Sequence, residues 1–322
     1  MEYWYFETSA VNYFKEHLSE DAAVETKNLQ LLKNRDWCIS PMVLLEILQT
    51  SDFEERDSLI RLSQRLFSED LLASPEEVII HYIKMGFPSE EPRLRLKSQC
   101  VLSAVWKDVV NNPDKQINID IEQLKFRNKT LRTFTKLIHK VINGNDNIIL
   151  PTTEAGEFNC SLDAMLNGMA FIREDDPYTE EAREVFKLAI VYLITLICCQ
   201  VGPAHEVTDR FWSALGIQRT SCRINYALEN WEPLIYKGPL STLARMAYCQ
   251  SKVRFSRGVY NDSLHAMYLN YTDKFFSSDA HFEDLRQALR QTPYEDRILL
   301  MSEIELTKEK EVGQFRSQMI VT

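Results

Sequence analysis

Apolar and polar positions along the chain follow two rhythms. Residues 3–6 form a short aromatic run, and Glu7-Thr8-Ser9 follows. That pattern predicts a strand entering a helix, with Thr8 or Ser9 as cap and Val11, Phe14 and Leu18 on the buried face. A helix is predicted over 20–34 from Val24, Leu29, Leu31 and Leu32. Residues 37–39 predict a second strand, and Ser40-Pro41 predicts a cap with proline at the first helical position of a helix over 41–49. Glu46 is the lone acid in that apolar stretch. A helix over 53–67, a short strand over 71–73 and a helix opened by Ser74-Pro75 come next. Between about 87 and 239 the alternation stops. Residues 88–92 read as a connector, 143–147 as a loop, and helices are predicted at 94–110, 119–143, 161–173, 179–201 and 206–215. Past Gly238-Pro239 the alternation returns, with helices over 240–255 and from Asn261-Asp262 onward, a strand over 274–277 and a last strand over 298–301. The order predicts an α/β fold with a parallel central sheet and helices on both faces. An all-α insertion interrupts it, giving segments 1–87, 88–237 and 238–322.

Composition narrows the class. The chain has 322 residues and 45% hydrophobic positions, which excludes disorder as its main state. With 37 Lys+Arg against 47 Asp+Glu, its net charge of −10 does not favour a general nucleic-acid coat protein. Nucleic acid then requires a local concentration of basic residues. The seven Cys lack any C-x-x-C spacing, which predicts reduced thiols and a cytoplasmic location. The N-terminus shows no secretory pattern. The apolar run 188–201 is shorter than the ~20 residues that span a bilayer, so a buried helix is predicted there and no membrane association.

Four acids carry the candidate chemistry: Glu7, Glu46, Asp262 and Asp279. In open parallel sheets ligands bind beyond the carboxyl ends of the strands, where Glu7 and Asp279 fall. Asp262 opens a helix that could point into the same crevice. Clustered carboxylates resist ionising together unless cations neutralise them. An oxygen-only donor set favours Mg²⁺ or Mn²⁺ over Zn²⁺ and suits metal-assisted phosphodiester hydrolysis without a covalent enzyme intermediate. Each acid has a plainer reading: a helix-dipole charge for Glu7, a surface position for Glu46, a cap for Asp262, a turn for Asp279. His265 and His281 flank the site and read as packed or surface residues. Lys125, Lys129, Arg132, Lys136 and Lys140 share one helical face, opposite Leu124, Leu131, Phe134, Ile138 and Val141. That stripe is either a phosphate-backbone contact or an ordinary solvated face. Arg254 and Arg257 are a second candidate for phosphate contact.

Tyr5-Phe6-Glu7-Thr8-Ser9, the stretch from Ile39 to Leu48, Asn261-Asp262-Ser263-Leu264-His265-Ala266, and the stretch from Phe275 to Phe282 together resemble the PIN-domain nucleases. The resemblance covers 1–87 and 238–322. It implies a three-layer α/β/α fold, with Glu7, Glu46, Asp262 and Asp279 as catalytic metal ligands and Ser277 at the strand-end position that adjoins substrate. It further implies a Mg²⁺- or Mn²⁺-dependent nuclease acting first on RNA, with DNA the alternative substrate, in a toxin-like, defence or processing role. A regulatory protein or a second copy of the chain is a further expected partner. Glu7 stands where the family usually has Asp, and the insertion is far longer than in compact members. The Glu7 replacement favours the rival expectation of a PIN-like interaction module with impaired catalysis, retention of all four acids favours activity, and the long insertion sets the chain apart from the small toxin families.

Overall fold

A computed structural model describes residues 2–17, 35–86, 97–111, 147–152, 156–161, 212–218, 259–290 and 294–303, with isolated positions between 222 and 249. In chain order the elements are β1 (Glu2–Phe6), α1 (Thr8–His17), β2 (Arg35–Cys38), α2 (Pro41–Leu48), α3 (Phe53–Leu66), α4 (Pro75–Lys84) and α5 (Val101–Asn111). Then come β3 (Asn147–Thr152), β4 (Gly156–Ser161), α6 (Val259–His265), a 3₁₀ turn (Ala266–Asn270), β5 (Lys274–Ser277), α7 (His281–Ala288) and β6 (Ile298–Leu300). The chain divides into two compact units. The first comprises Met1–Glu77, Pro92–Leu124 and Tyr268–Thr322, and the second Val78–Glu91 and Lys125–Met267.

The first unit is built on a four-stranded sheet in the order β2-β1-β5-β6, and every pairing is parallel. This is the α/β class expected from the alternation. The β1 side chains alternate across the sheet. On one face, Phe6 stacks on Phe276 at 4.4 Å between ring centres and meets Trp37, Phe67 and, from α1, Phe14. On the other, Tyr5 stacks on Tyr268 at 4.5 Å and meets Phe275, which packs on Phe282 of α7. β1 is thus covered on both faces by aromatic rings, and Trp4, Tyr5 and Phe6 are all buried. The chain leaves β1 toward β2 on one side and β5 toward β6 on the other. That divergence between β1 and β5 is the switch point at which open sheets hold ligands.

Three expectations are corrected. Residues 147–152 and 156–161 form an antiparallel hairpin in their own two-stranded sheet, so the segment 88–237 is not all helical. Six-residue runs joined by a short connection pair locally as strands, whereas a helix needs about ten residues to form. Ser161, expected to start a helix, ends β4. The expected strand at 71–73 is a single antiparallel bridge from Leu72 to Lys97, and the Leu72 N–H donates at 2.9 Å to the Ile39 carbonyl beyond β2. The expected helices over 20–34, 119–143 and 179–201 lie outside the described residues, as does the apolar run 188–201. No described helix is long and apolar enough to cross a membrane. Cys38, Cys100, Cys222 and Cys249 are free thiols.

In the second unit, Gly238 has a φ of +71°, and a Cβ there would meet the Tyr82 ring at 2.5 Å. Both the backbone angle and the space therefore require glycine just before Pro239.

Phe6 touches four other aromatic rings, so Phe6→Ala should cost about 3–5 kcal/mol. The check is a lower urea midpoint at unchanged slope. A loss below about 1 kcal/mol would contradict the central role given to this ring.

Candidate functional site

Glu7 directly follows β1. Its N–H donates to the Phe276 carbonyl at 3.2 Å, so the β1–β5 pairing carries through to the acid. Its carbonyl accepts the N–H groups of Ala10 and Val11 at 3.1 and 3.2 Å. Glu7, rather than Thr8 or Ser9, is therefore the residue that caps α1. The side chain folds back on its own helix. Oε2 accepts the Ser9 N–H at 3.0 Å, and Oε1 accepts the hydroxyls of Ser9 and, at 2.8 Å, Ser277. At 4% exposure, the carboxylate depends on such donors to offset its lost hydration.

The two serines do double duty. Ser277, the last residue of β5 and fully buried, donates to Glu7 and accepts the Asp279 N–H at 2.9 Å. Expected beside substrate, it has its hydroxyl committed inside the protein. Ser9 donates to Glu7 and accepts the Ser278 N–H at 2.7 Å, while the Ser278 hydroxyl donates to the Ser9 carbonyl at 2.9 Å. With both serine protons directed at Glu7, the 3.4 Å approach of the Ser9 and Ser277 oxygens is a contact without a shared proton.

Asp279 is held at the start of α7. Its Oδ1 accepts the His281 N–H at 2.8 Å and lies 3.4 Å from His281 Nδ1. Its carbonyl accepts the Phe282 N–H at 3.1 Å. The side chain is 35% exposed, far more than that of Glu7. Glu46, half-buried on α2, accepts the Thr8 hydroxyl through Oε2. Because Thr8 is bonded to Glu7, this ties α2 to the same strand end. Glu7, Glu46 and Asp279 thus lie in the first unit: Ser277 bonds the Glu7 carboxylate and the Asp279 backbone N–H, and Thr8, next to Glu7, bonds Glu46. Asp262 belongs to the second unit, where it is buried in the first turn of α6, and His265 is buried near the end of that helix. Lys125, Lys129, Arg132, Lys136, Arg254 and Arg257 lie outside the described residues.

Behind this network lies a buried phenol. Tyr5 shares a 2.9 Å hydrogen bond with Ser40, and the Tyr268 hydroxyl donates to the Ala73 carbonyl at 2.8 Å. Ser40 occupies the cap position before Pro41, as expected, yet its hydroxyl caps nothing and serves Tyr5 instead. Burial pushes the Tyr5 phenol well above its ordinary range. Tyr268, Glu7 and Glu46 add to the rise, and the Ser40 bond opposes it. Tyr268 is raised too, again chiefly by burial.

Among the described residues, no hydrogen-bond donor meets Asp279 Oδ2. The hydroxyls that orient these acids escaped the sequence reading, which took Thr8 and Ser9 as caps alone. The available signal was two adjacent hydroxyl residues directly after a strand-end acid. Compared with known proteins, the chain matches no family model, no curated protein and no solved structure.

Two outcomes follow from these contacts. Ser277→Ala removes a hydrogen bond to a buried carboxylate and should cost about 1.5–3 kcal/mol in chemical denaturation. A cost near zero would mean that Glu7 is held without it. Tyr5 and Tyr268 stay neutral in the native state but ionise near pH 10 once unfolded, so the native state holds more protons above that pH. Their contribution is intact below pH 10, and stability should fall above it by up to about 1.4 kcal/mol per pH unit per phenol. In Tyr5→Phe the alkaline limb of stability against pH should be shallower, and an unchanged slope would contradict the assignment.

Proposed function

We propose that the protein is a metal-dependent nuclease of PIN-like α/β/α architecture, interrupted by an insertion, that hydrolyses phosphodiester bonds in RNA. The observation that carries this reading is the position of Glu7 and Asp279 just beyond the carboxyl ends of the adjacent strands β1 and β5, with Glu46 held to the same strand end through Thr8. Open sheets bind ligands at that place, and oxygen donors beyond the strand ends suit a hard divalent cation. Glu7, Glu46 and Asp279 would hold Mg²⁺ or Mn²⁺, and by the resemblance Asp262 would supply the fourth carboxylate. Bound there, the cation would supply Lewis acidity, activating water and neutralising charge on the leaving oxygen. Ser9 and Ser277 would fix the Glu7 carboxylate, and Thr8 that of Glu46. The basic stripe of Lys125, Lys129, Arg132 and Lys136, with Arg254 and Arg257, would carry the phosphate backbone. A cytoplasmic setting fits the reduced cysteines expected from the sequence.

One observation favours a second reading, the interaction module. The Glu7 carboxylate is turned back onto Ser9 and Ser277 as a buried cap, which is a sufficient structural role in itself.

Mn²⁺ discriminates between the two. A cation that binds only the folded state raises the melting temperature, with about 2.7 kcal/mol of stabilisation at a hundredfold excess over Kd. Asp279→Asn keeps the side-chain oxygen that accepts the His281 N–H and removes only the charge. It should retain the fold, lose the Mn²⁺ shift and abolish cleavage of a labelled RNA. Wild-type cleavage by Asp279→Asn would end the nuclease reading. A wild type that neither cleaves RNA or DNA nor responds to Mn²⁺ would leave the module.

A further inference from the structure

We infer that Ser40 is a positioning residue for Glu46: its hydroxyl, bonded to Tyr5, fixes where α2 presents that acid beside the end of β1. The catalytic consequence rests on the nuclease reading above, whereas the placement does not. Ser40 stands just before Pro41, fully buried, and its side chain caps no N–H of α2. Its hydroxyl lies 2.9 Å from that of Tyr5 and also bonds the Tyr268 phenol. The Tyr268 proton is given to the Ala73 carbonyl at 2.8 Å. The Tyr268 oxygen therefore accepts from Ser40, and the Ser40 oxygen accepts from Tyr5. The rest of α2 is held by the burial of Val43, Leu44, Ile47 and Leu48, an attraction without direction. Direction comes from two hydrogen bonds to the end of β1, Ser40 with Tyr5 and Glu46 with the Thr8 hydroxyl. Six residues of helix set these anchors about 9 Å apart along the axis and about 120° apart around it. Tyr5 and Thr8, three residues apart, span at most about 10 Å of chain, so the two pairs match in length. Anchors at different heights and angles fix both the slide and the turn of α2. Glu46 alone fixes neither, because its long side chain pivots about its own bonds.

The test uses the full chain with ¹³C-labelled glutamate and, separately, a labelled RNA. Tyr5→Phe keeps the ring, and with it the stack on Tyr268, and loses only the hydroxyl. The Glu46 carboxyl signal, identified by its absence in Glu46→Gln, should move in Tyr5→Phe and in Ser40→Ala. It should stay near its original position in Ser40→Thr, which keeps the hydroxyl. In RNA cleavage, Tyr5→Phe should lower kcat by about tenfold to a hundredfold at unchanged KM, since misplacing a reacting group by about 1 Å costs up to that much. Ser40→Thr should keep most of the wild-type kcat. A Glu46 signal that moves in neither Tyr5→Phe nor Ser40→Ala overturns the inference whatever the activity. A wild-type kcat in Tyr5→Phe overturns it as well and leaves the nuclease reading in place. If the signal moves while the wild type cleaves no nucleic acid, the placement stands and the nuclease reading falls.

Discussion

The parallel pairing of β1 with β5 is the constraint on which the rest of the first unit depends. It brings together residues as far apart in sequence as Tyr3 and Asp273, which are 270 positions distant, and it sets the register Trp4–Lys274, Tyr5–Phe275 and Phe6–Phe276. A one-residue slip would exchange the two faces of β1. Phe6 would leave the rings of Phe14, Trp37 and Phe67, and Tyr5 would leave Tyr268. The same register delivers Glu7 and Ser277 to one another, because each lies one step beyond the paired residues. Core packing and site assembly are consequences of one alignment.

A buried acid within that alignment needs compensation. The Ser9 N–H and the hydroxyls of Ser9 and Ser277 donate to it. The resulting carboxyl group is held in place by partners from two distant segments. Hydroxyl donors hold a carboxylate in place without cancelling its charge.

The four parallel strands were legible because each is a short aromatic or aliphatic run bounded by polar turn or cap residues, as at 3–6 and 274–277. The hairpin at 147–161 was not. Pro151 interrupts the first run and argues against a strand, although the proline here pairs with Glu157 near the strand end. The acids were legible from their settings: Glu7 and Asp279 at strand ends, Glu46 alone on an apolar helix. Their partners were not, because a hydroxyl's choice of acceptor depends on three-dimensional neighbours. Ser40 has the sequence signature of a cap and bonds a tyrosine instead, and Glu7 has the signature of a ligand and caps a helix.

The distance in sequence between β1 and β5 also sets an order of events during synthesis. At 5–20 residues per second, β5 leaves the ribosome roughly 15–50 s after β1. Through that interval Trp4, Tyr5 and Phe6 lack their central neighbour, and Glu7 lacks the Ser277 hydroxyl. A nascent chain therefore carries the first acid of the site without the frame that orients it, and the site is completed only after the long intervening segment has been made.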